Sequence, residues 1–190
     1  MTLLTGESEL GPDGWKFAEA YVDSKLSLIT TVNPIYRENA RRYWTLASVN
    51  EAIRPEIAWA QHGKETAFGK FSDVVPADFC NPAGIKTRLG GGDRDPNAHQ
   101  VFRSWDEGIR AHLNHLTAYA YGEWMQPIGV PHDRYRVILT TSWVGSIRET
   151  QGLDGKWAPS PSYGRDLDRV FVKPFMEWCY DLIAFFNSLG

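Results

Sequence analysis

Apolar side chains recur at helical spacing in the first fifty residues. Trp15–Leu28 places Phe17, Tyr21 and Leu28 near one face, with Asp13 as a candidate N-cap. After the helix-breaking pair Asn33-Pro34, a second amphipathic stretch covers Ile35–Leu46 and carries one apolar stripe, made of Tyr36, Ala40, Tyr43 and Ala47. The pattern predicts two helices that pack onto the helix that follows.

The stretch Arg54–Lys70 predicts a third helix. Pro55 suits a first helical turn, where its missing N–H costs nothing, and Gly69 suits a stop. One face of this helix carries four residues at i, i+3, i+7 and i+10, namely Ala58, Gln61, Glu65 and Phe68. A carboxylate is therefore expected in the last turn, near an amide and an aromatic ring.

The pattern changes after this helix. Residues 71–82 have no periodicity and read as a loop. Ala83–Thr87 and His99–Arg103 predict two short strands, joined by the Gly/Asp-rich turn 90–96. A small β-hairpin beside a helical body is the expected result.

Helical periodicity returns at the capping box Ser104–Glu107, which opens a helix to about Tyr121. Residues 122–132 read as a loop, and Asp133–Thr141 as a helix. A second capping box, Ser146–Glu149, predicts a short helix ending near Gly152. After the loop 154–162, a final apolar helix starts near Tyr163, and Pro174 is expected to kink or split it.

Composition narrows the class of protein. The chain has 190 residues, of which 43% are hydrophobic and eight are Trp, which suits a single folded domain. The net charge is −3 and no basic stripe occurs, which excludes nucleic acid as the expected partner. Neither a secretory signal nor a membrane span is expected. Cys80 and Cys179 could be two thiols or one bridge, and buried thiols are the default expectation.

Glu65 is the candidate catalytic residue. The negative end of the helix dipole and burial against Phe68 should both raise the pKa of its carboxyl group. A carboxylic acid that stays protonated near neutral pH can act as a general acid. The alternative is a solvated glutamate paired with a lysine. His112 and His115, at i and i+3, could bind a metal, but no third ligand is evident, so we expect core histidines and no cofactor.

Four blocks in order resemble a known family. Gln61–Lys70 reads QHGKETAFGK, Asn81–Lys86 reads NPAGIK, Phe102–His112 reads FRSWDEGIRAH, and Gly155–Tyr163 reads GKWAPSPSY. Together they resemble the peptidoglycan-hydrolysing N-acetylglucosaminidases of glycoside hydrolase family 73, within the lysozyme-like superfamily. The resemblance implies an α+β, mainly α fold, in which a helical body and a small β-hairpin lobe form a cleft. It covers roughly 51–170, with N-terminal helices over 1–50 and a C-terminal helix over 171–190.

The resemblance also implies site residues. Glu65 matches the general acid, and a hairpin carboxylate, here Asp93 or Asp95, is the candidate second group, with Asp73 as a further one. Turn formation is the alternative role for both hairpin residues, and the substrate's acetamide could replace either. The implied substrate contacts are Gln61, Phe68, Asn81, Lys86, Trp157 and Tyr163. Trp157 departs from the family's tyrosine, so a role that needs a phenol hydroxyl is not expected there.

The sequence thus predicts a monomeric endo-β-N-acetylglucosaminidase acting on peptidoglycan glycan strands in the bacterial cell wall. A muramidase or lytic transglycosylase of the same fold is the enzymatic alternative. A non-catalytic wall-binding module of a phage particle is the alternative from another class. The lack of a visible signal peptide suggests delivery by a phage, and a truncated bacterial domain is the competing explanation.

Overall fold

The computed structural model describes residues 2–189, and this part of the chain is mainly α-helical. Its helices are α1 (Gly14–Ser24), α2 (Pro34–Ala47), α3 (Pro55–Thr66), α4 (Trp105–Tyr121), α5 (Asp133–Ile138), α6 (Tyr163–Asp166) and α7 (Lys173–Ser188). A π-helical stretch, Leu167–Val172, joins α6 to α7. Short 3-10 turns cover Leu26–Leu28, Ala77–Phe79, Pro96–Ala98, Gly122–Trp124 and Thr150–Leu153.

Local sequence explains most helix starts. The Asn33 side chain caps α2 by accepting from the N–H of Ile35, and the Ser104 hydroxyl caps α4 by accepting from the N–H of Glu107. The Glu107 carboxylate accepts from the N–H of Arg103, one residue before the position that the capping box predicts. Asp13 makes no capping bond and pairs with Lys16 instead.

The core lies where α2 packs against α1, α3 and α4, while α3 and α7 contact the π-helical stretch. Its centre is aromatic, because Tyr36 stacks on Trp59 at 4.6 Å and Phe175 meets Trp59 edge-on at 5.1 Å. Such offset and edge-on pairs stabilise a core beyond the area that they bury. The apolar face of α7 is buried as far as Cys179, whereas Phe185 and Phe186 are exposed.

The predicted β-hairpin is wrong. Within residues 2–189 the chain forms isolated antiparallel bridges in place of strands, and the hairpin region contributes one, between Lys86 and His99. The reason is the buried side chain of Asn81, which accepts from the N–H of Ile85 and donates to the carbonyls of Ile85 and Gln100. A side chain thus occupies backbone groups that a strand ladder would use.

Other predicted boundaries also change. The Ser146 capping box is wrong, since the Ser146 hydroxyl donates to the carbonyl of Trp143 and the next helical turn, Thr150–Leu153, begins later. Pro174 lies in the first turn of α7, just after the π-helical stretch, so the helix from Tyr163 to Ser188 continues with a change of winding. Cys80 and Cys179 are free thiols. No helix in residues 2–189 is long and apolar enough to span a membrane.

Candidate active site

A cleft of about 590 Å³ opens beside the C-terminal end of α3. One side, which we call the helical wall, is formed by α3, α4, α5 and residues 156–159. The opposite side, which we call the loop wall, is formed by residues 81–99. The cleft has the size and open shape of a site for an extended ligand.

Glu65 lies in the last turn of α3 and lines the helical wall. The helix ends directly after it because Ala67 and Phe68 adopt left-handed conformations, with φ of 50° and 60°. The N–H groups of both residues bond to the carbonyl of Gly63 and close the helix end. The carboxylate is half-buried, and its Oε2 faces Gly84, where an added Cβ would lie 3.8 Å away.

Burial raises the pKa of the Glu65 carboxyl group above its usual value. A hydrogen bond from Tyr163, the charge of Lys64 and the indole of Trp157 work in the opposite direction. The direction of the shift is therefore the predicted one, but the predicted substrate contact of Phe68 does not fit its position. The Phe68 ring lies outside the cleft lining and packs against Tyr36 and Phe171.

Tyr163 supports Glu65 from behind. Its hydroxyl donates to Glu65 Oε1 and accepts from Gln61 Nε2 at 3.0 Å. Both Tyr163 and Gln61 are buried and lie outside the cleft lining, so neither is an open ligand contact. Trp157 has no hydroxyl group, and the hydroxyl that bonds to the Glu65 carboxylate belongs to Tyr163.

Trp157 lines the cleft and is half-buried. Its ring lies 5.4 Å from that of His112 and 5.6 Å from that of Tyr119. Tyr119 in turn stacks on Trp143 at 4.5 Å, and both line the same wall. The helical wall therefore presents aromatic surface of the kind that binds sugar rings, and part of the Trp157 ring belongs to the core edge.

The loop wall contains the predicted residues Asn81, Lys86 and Asp93. The side-chain amide of Asn81 forms its hydrogen bonds with backbone groups of the loop. Lys86 forms a salt bridge of 2.9 Å with Asp93. The Asp93 side chain is 86% exposed, and its pairing with Lys86 lowers the pKa of its carboxyl group.

Two other predicted carboxylates lie outside the cleft lining. Asp95 does not line the cleft, and its side chain accepts from the N–H of Asn97 at the start of a 3-10 turn. Asp73 is exposed on the preceding loop and does not line the cleft either. Among the described residues, Glu65 and Asp93 are therefore the carboxylates that line the cleft.

The two histidines of α4 are buried in the core, and His115 also lines the cleft. His112 and His115 are buried, and burial lowers the pKa of His112 well below its usual value and that of His115 to about 3. Residues 2–189 contain no group of three or more His, Cys, Asp or Glu side chains that could hold a metal. The expectation of metal-free chemistry stays a prediction.

Sequence reasoning missed the cations of the cleft. Arg134 on α5 and Lys156 line the helical wall together with Lys64. Arg134 is half-buried, and its guanidinium has no salt bridge or hydrogen bond to any residue in the described range 2–189. Nothing local marks this residue, since only the fold brings α5 to the cleft.

No family model matches the chain, and no solved structure matches it. An uncharacterized protein of Borreliella burgdorferi is 29% identical to it over 126 residues, which is 66% of this chain and 57% of the relative. The chain thus spans a little over half the length of that relative.

Proposed function

We propose that the chain is an endo-β-N-acetylglucosaminidase with a lysozyme-like arrangement, acting on the glycan strands of bacterial peptidoglycan with Glu65 as general acid. The observation that carries this proposal is the state of Glu65. Its carboxyl group is half-buried at a cleft wall, its pKa is raised by burial, and a tyrosine hydroxyl supports it. The raised pKa favours the protonated form that a general acid needs, and the tyrosine hydroxyl can stabilise the carboxylate left after proton transfer.

In the proposed reaction, Glu65 donates its proton to the oxygen of the glycosidic bond as that bond breaks. The sugar left behind develops oxocarbenium character. The Tyr163 hydroxyl then stabilises the carboxylate that forms, because hydrogen bonds to a charged acceptor are stronger than those to a neutral one. The approach to Oε2 passes Gly84, where the absence of a side chain leaves room for the leaving sugar.

The second step has two versions. A protein carboxylate can activate water or attack the sugar, and Asp93 is the candidate because it lines the cleft. The substrate's own acetamide can instead attack the sugar carbon, so that no second carboxylate is required. The salt bridge of Asp93 with Lys86 favours the acetamide version, because an ion-paired carboxylate is a weaker base and nucleophile.

The remaining cleft residues suit a wall polymer. Trp143 and Trp157 offer aromatic surface for sugars. Arg134 and Lys156 offer positive charge for the carboxylates that peptidoglycan carries on its peptides. We propose that the protein acts as a monomer at the bacterial cell wall.

A lytic transglycosylase or muramidase is the second candidate. The observation that favours a transglycosylase is that Glu65 is the cleft-lining carboxylate free of an ion pair among the described residues. A transglycosylase needs one acid, because the substrate's own hydroxyl group closes the ring. A non-catalytic wall-binding module would need neither the acid nor its support.

The test is a turbidity assay on purified cell walls with Glu65→Gln. General acid catalysis contributes about 10²–10⁴-fold, so this variant should lose at least that much activity while it stays folded and still binds walls. Glu177→Gln, at an exposed glutamate on α7, is the matched control and should behave as wild type. A Glu65→Gln protein that clears walls at nearly the wild-type rate would refute the proposal.

Mass spectrometry of reduced digestion products separates the enzymatic candidates. A glucosaminidase leaves the new reducing end on N-acetylglucosamine, and a muramidase leaves it on N-acetylmuramic acid. A transglycosylase leaves an anhydro sugar with no reducing end. A wild-type protein that binds walls and releases no fragment would be a binding module.

A further inference from the structure

A chain of buried hydrogen bonds runs through the protein to Glu65. The hydroxyl of Tyr43 lies 2.8 Å from His112 Nδ1, and His112 Nε2 lies 3.1 Å from Gln61 Oε1. Gln61 Nε2 lies 3.0 Å from the Tyr163 hydroxyl, which bonds to Glu65 Oε1. The chain links α2, α4, α3 and α6, whose residues are far apart in sequence.

Every bond in this chain donates toward Glu65. Burial holds His112 neutral, and a neutral imidazole has one N–H and one acceptor nitrogen. The buried Tyr43 hydroxyl makes no other hydrogen bond among the described residues, so it donates to Nδ1 of His112. Nε2 of His112 therefore carries the hydrogen and donates to Gln61 Oε1. Gln61 then donates its amide N–H to the oxygen of Tyr163. The single proton of Tyr163 is thereby directed at the carboxylate.

We propose that His112 is a positioning residue for Glu65: through Gln61 it commits the Tyr163 hydroxyl to donate to the carboxylate, and so sets the pH at which Glu65 loses its proton. The catalytic meaning of this role rests on the proposed function. The hydrogen-bond arrangement itself does not.

The Gln61 amide is the point at which the chain could reverse. Rotated by half a turn, it would present its oxygen to Tyr163, and the tyrosine proton would turn away from Glu65 to bond there. The N–H of His112 prevents this, because a rotated amide would set two donors against each other. Without that N–H the Tyr163 proton has two acceptors to choose from, and the ionised form of Glu65 loses a stabilising donor.

The ionisable groups around this chain come from every element that packs on it. They are Tyr43 on α2, His62 and Lys64 on α3, His115 and Tyr119 on α4, Arg134 on α5, Tyr163 on α6, Lys156 in the 156–159 segment, and Lys86, Asp93 and His99 on the loop wall. Apart from Tyr43, none of them is altered in the variants below. A shift in the pH at which Glu65 titrates therefore reports on the chain of hydrogen bonds.

The test is a substrate-free NMR titration of the Glu65 carboxyl carbon in the full chain. His112→Gln places an amide N–H where Nε2 lies and should titrate close to wild type. His112→Asn is too short to reach Gln61, and its Glu65 should hold its proton about tenfold more tightly, a rise of about one pH unit. Equal shifts in the two variants, or no shift in folded His112→Asn, would overturn the proposal.

A second pair of variants keeps the test valid if His112→Asn does not fold. Tyr43→Phe removes the first donor of the chain and preserves the ring, so we expect a rise of the same sign, about two- to threefold in proton affinity. Tyr36→Phe is the matched control, since Tyr36 is equally buried on α2 and lies outside the chain. A Tyr43→Phe shift no larger than that of Tyr36→Phe would reject the positioning role.

The pH profile of wall hydrolysis supplies the second measurement. A more basic Glu65 stays protonated to higher pH, so the alkaline limb should move up by the amount that NMR shows. A titration that moves while Glu65→Gln keeps full activity would refute the proposed function alone. A titration that does not move while Glu65→Gln is inactive would refute the positioning role alone.

Discussion

On the helical wall of the cleft, Glu65 and Tyr163 are held by buried side chains from other helices, whereas on the loop wall Lys86 and Asp93 hold each other near the surface. The first arrangement is backed by buried side chains, so its hydrogen bonds are strong and a missing partner is costly. The second is solvated, so its ion pair contributes little to stability. Chemistry that depends on a perturbed proton affinity is therefore expected on the helical wall, and adjustable substrate contact on the loop wall.

A buried side chain of the helical wall holds the start of the loop wall. His62 on α3 donates from Nδ1 to the carbonyl of Pro82 at 2.9 Å, and Asn81 fixes the loop that follows. Gly108 on α4 lies so close to the carbonyl of Cys80 that an added Cβ would be 1.9 Å from its oxygen. The loop wall is thus exposed on one side and anchored on the other.

Breaking the anchor should have the largest effect. Asn81→Ala leaves the backbone groups of Ile85 and Gln100 without their buried partner, so we expect the free energy of unfolding to fall by about 2–4 kcal/mol, together with wall-clearing activity. Urea denaturation measures this loss. Asn97→Ala, at an exposed position nearby, should cost less than about 0.5 kcal/mol. Equal costs for the two variants would contradict the anchoring role of Asn81.

The sequence predicted the supports of the helical wall better than those of the loop wall. Pro55, Asn33 and Ser104 mark helix starts by local chemistry, and the structure places helices after each. The sequence predicted strands at Ala83–Thr87 and His99–Arg103. It could not show that the Asn81 side chain bonds to the backbone groups that would pair these two strands. The bond between Tyr43 and His112 joins residues 69 positions apart, which periodicity cannot predict.

Acid should weaken the helical wall next. His62 and His115 have folded-state pKa values of about 4 and about 3, below the 6.5 of an unfolded histidine. Between these pKa values the unfolded state binds more protons than the folded state. The stability that the neutral histidines contribute is therefore fully present above pH 6.5 and is lost as the pH falls. For each histidine, the free energy of unfolding should fall by about 2 kcal/mol as the pH drops from 6.5 to 5.

Urea denaturation across this pH range measures the effect. His115→Gln should remove the share of the pH dependence that His115 contributes. His132→Gln should remove less, because His132 is half-buried and its pKa is lowered less far. An unfolding free energy that is constant from pH 6.5 to 5 would show that these histidines are not held neutral.

The smallest effect is expected on the exposed ion pair. Asp93→Asn should leave the free energy of unfolding nearly unchanged, because the Asp93 side chain is 86% exposed and solvent screens its ion pair with Lys86. Asp95→Asn is the matched control, since asparagine can replace aspartate in the turn that Asp95 caps. Thermal denaturation measures the stability of both variants, and a turbidity assay on cell walls measures their activity.

Activity separates the two versions of the second step. If Asp93 activates water, Asp93→Asn should lose most wall-clearing activity while Asp95→Asn keeps it. If the acetamide attacks, both variants should stay active. A large loss of stability in Asp93→Asn would instead place the residue in the fold of the loop wall.

The π-helical stretch Leu167–Val172 constrains how the C-terminal part of this sequence can change length. Its wider winding absorbs extra chain between Tyr163, which supports Glu65, and Phe175, which contacts Trp59. Deleting one residue there would turn the following α7 by about 100° and shift it by about 1.5 Å. Tyr163 and Phe175 could then not both reach their partners. Insertions and deletions should therefore be tolerated poorly in this stretch and far better in the exposed turn 88–94.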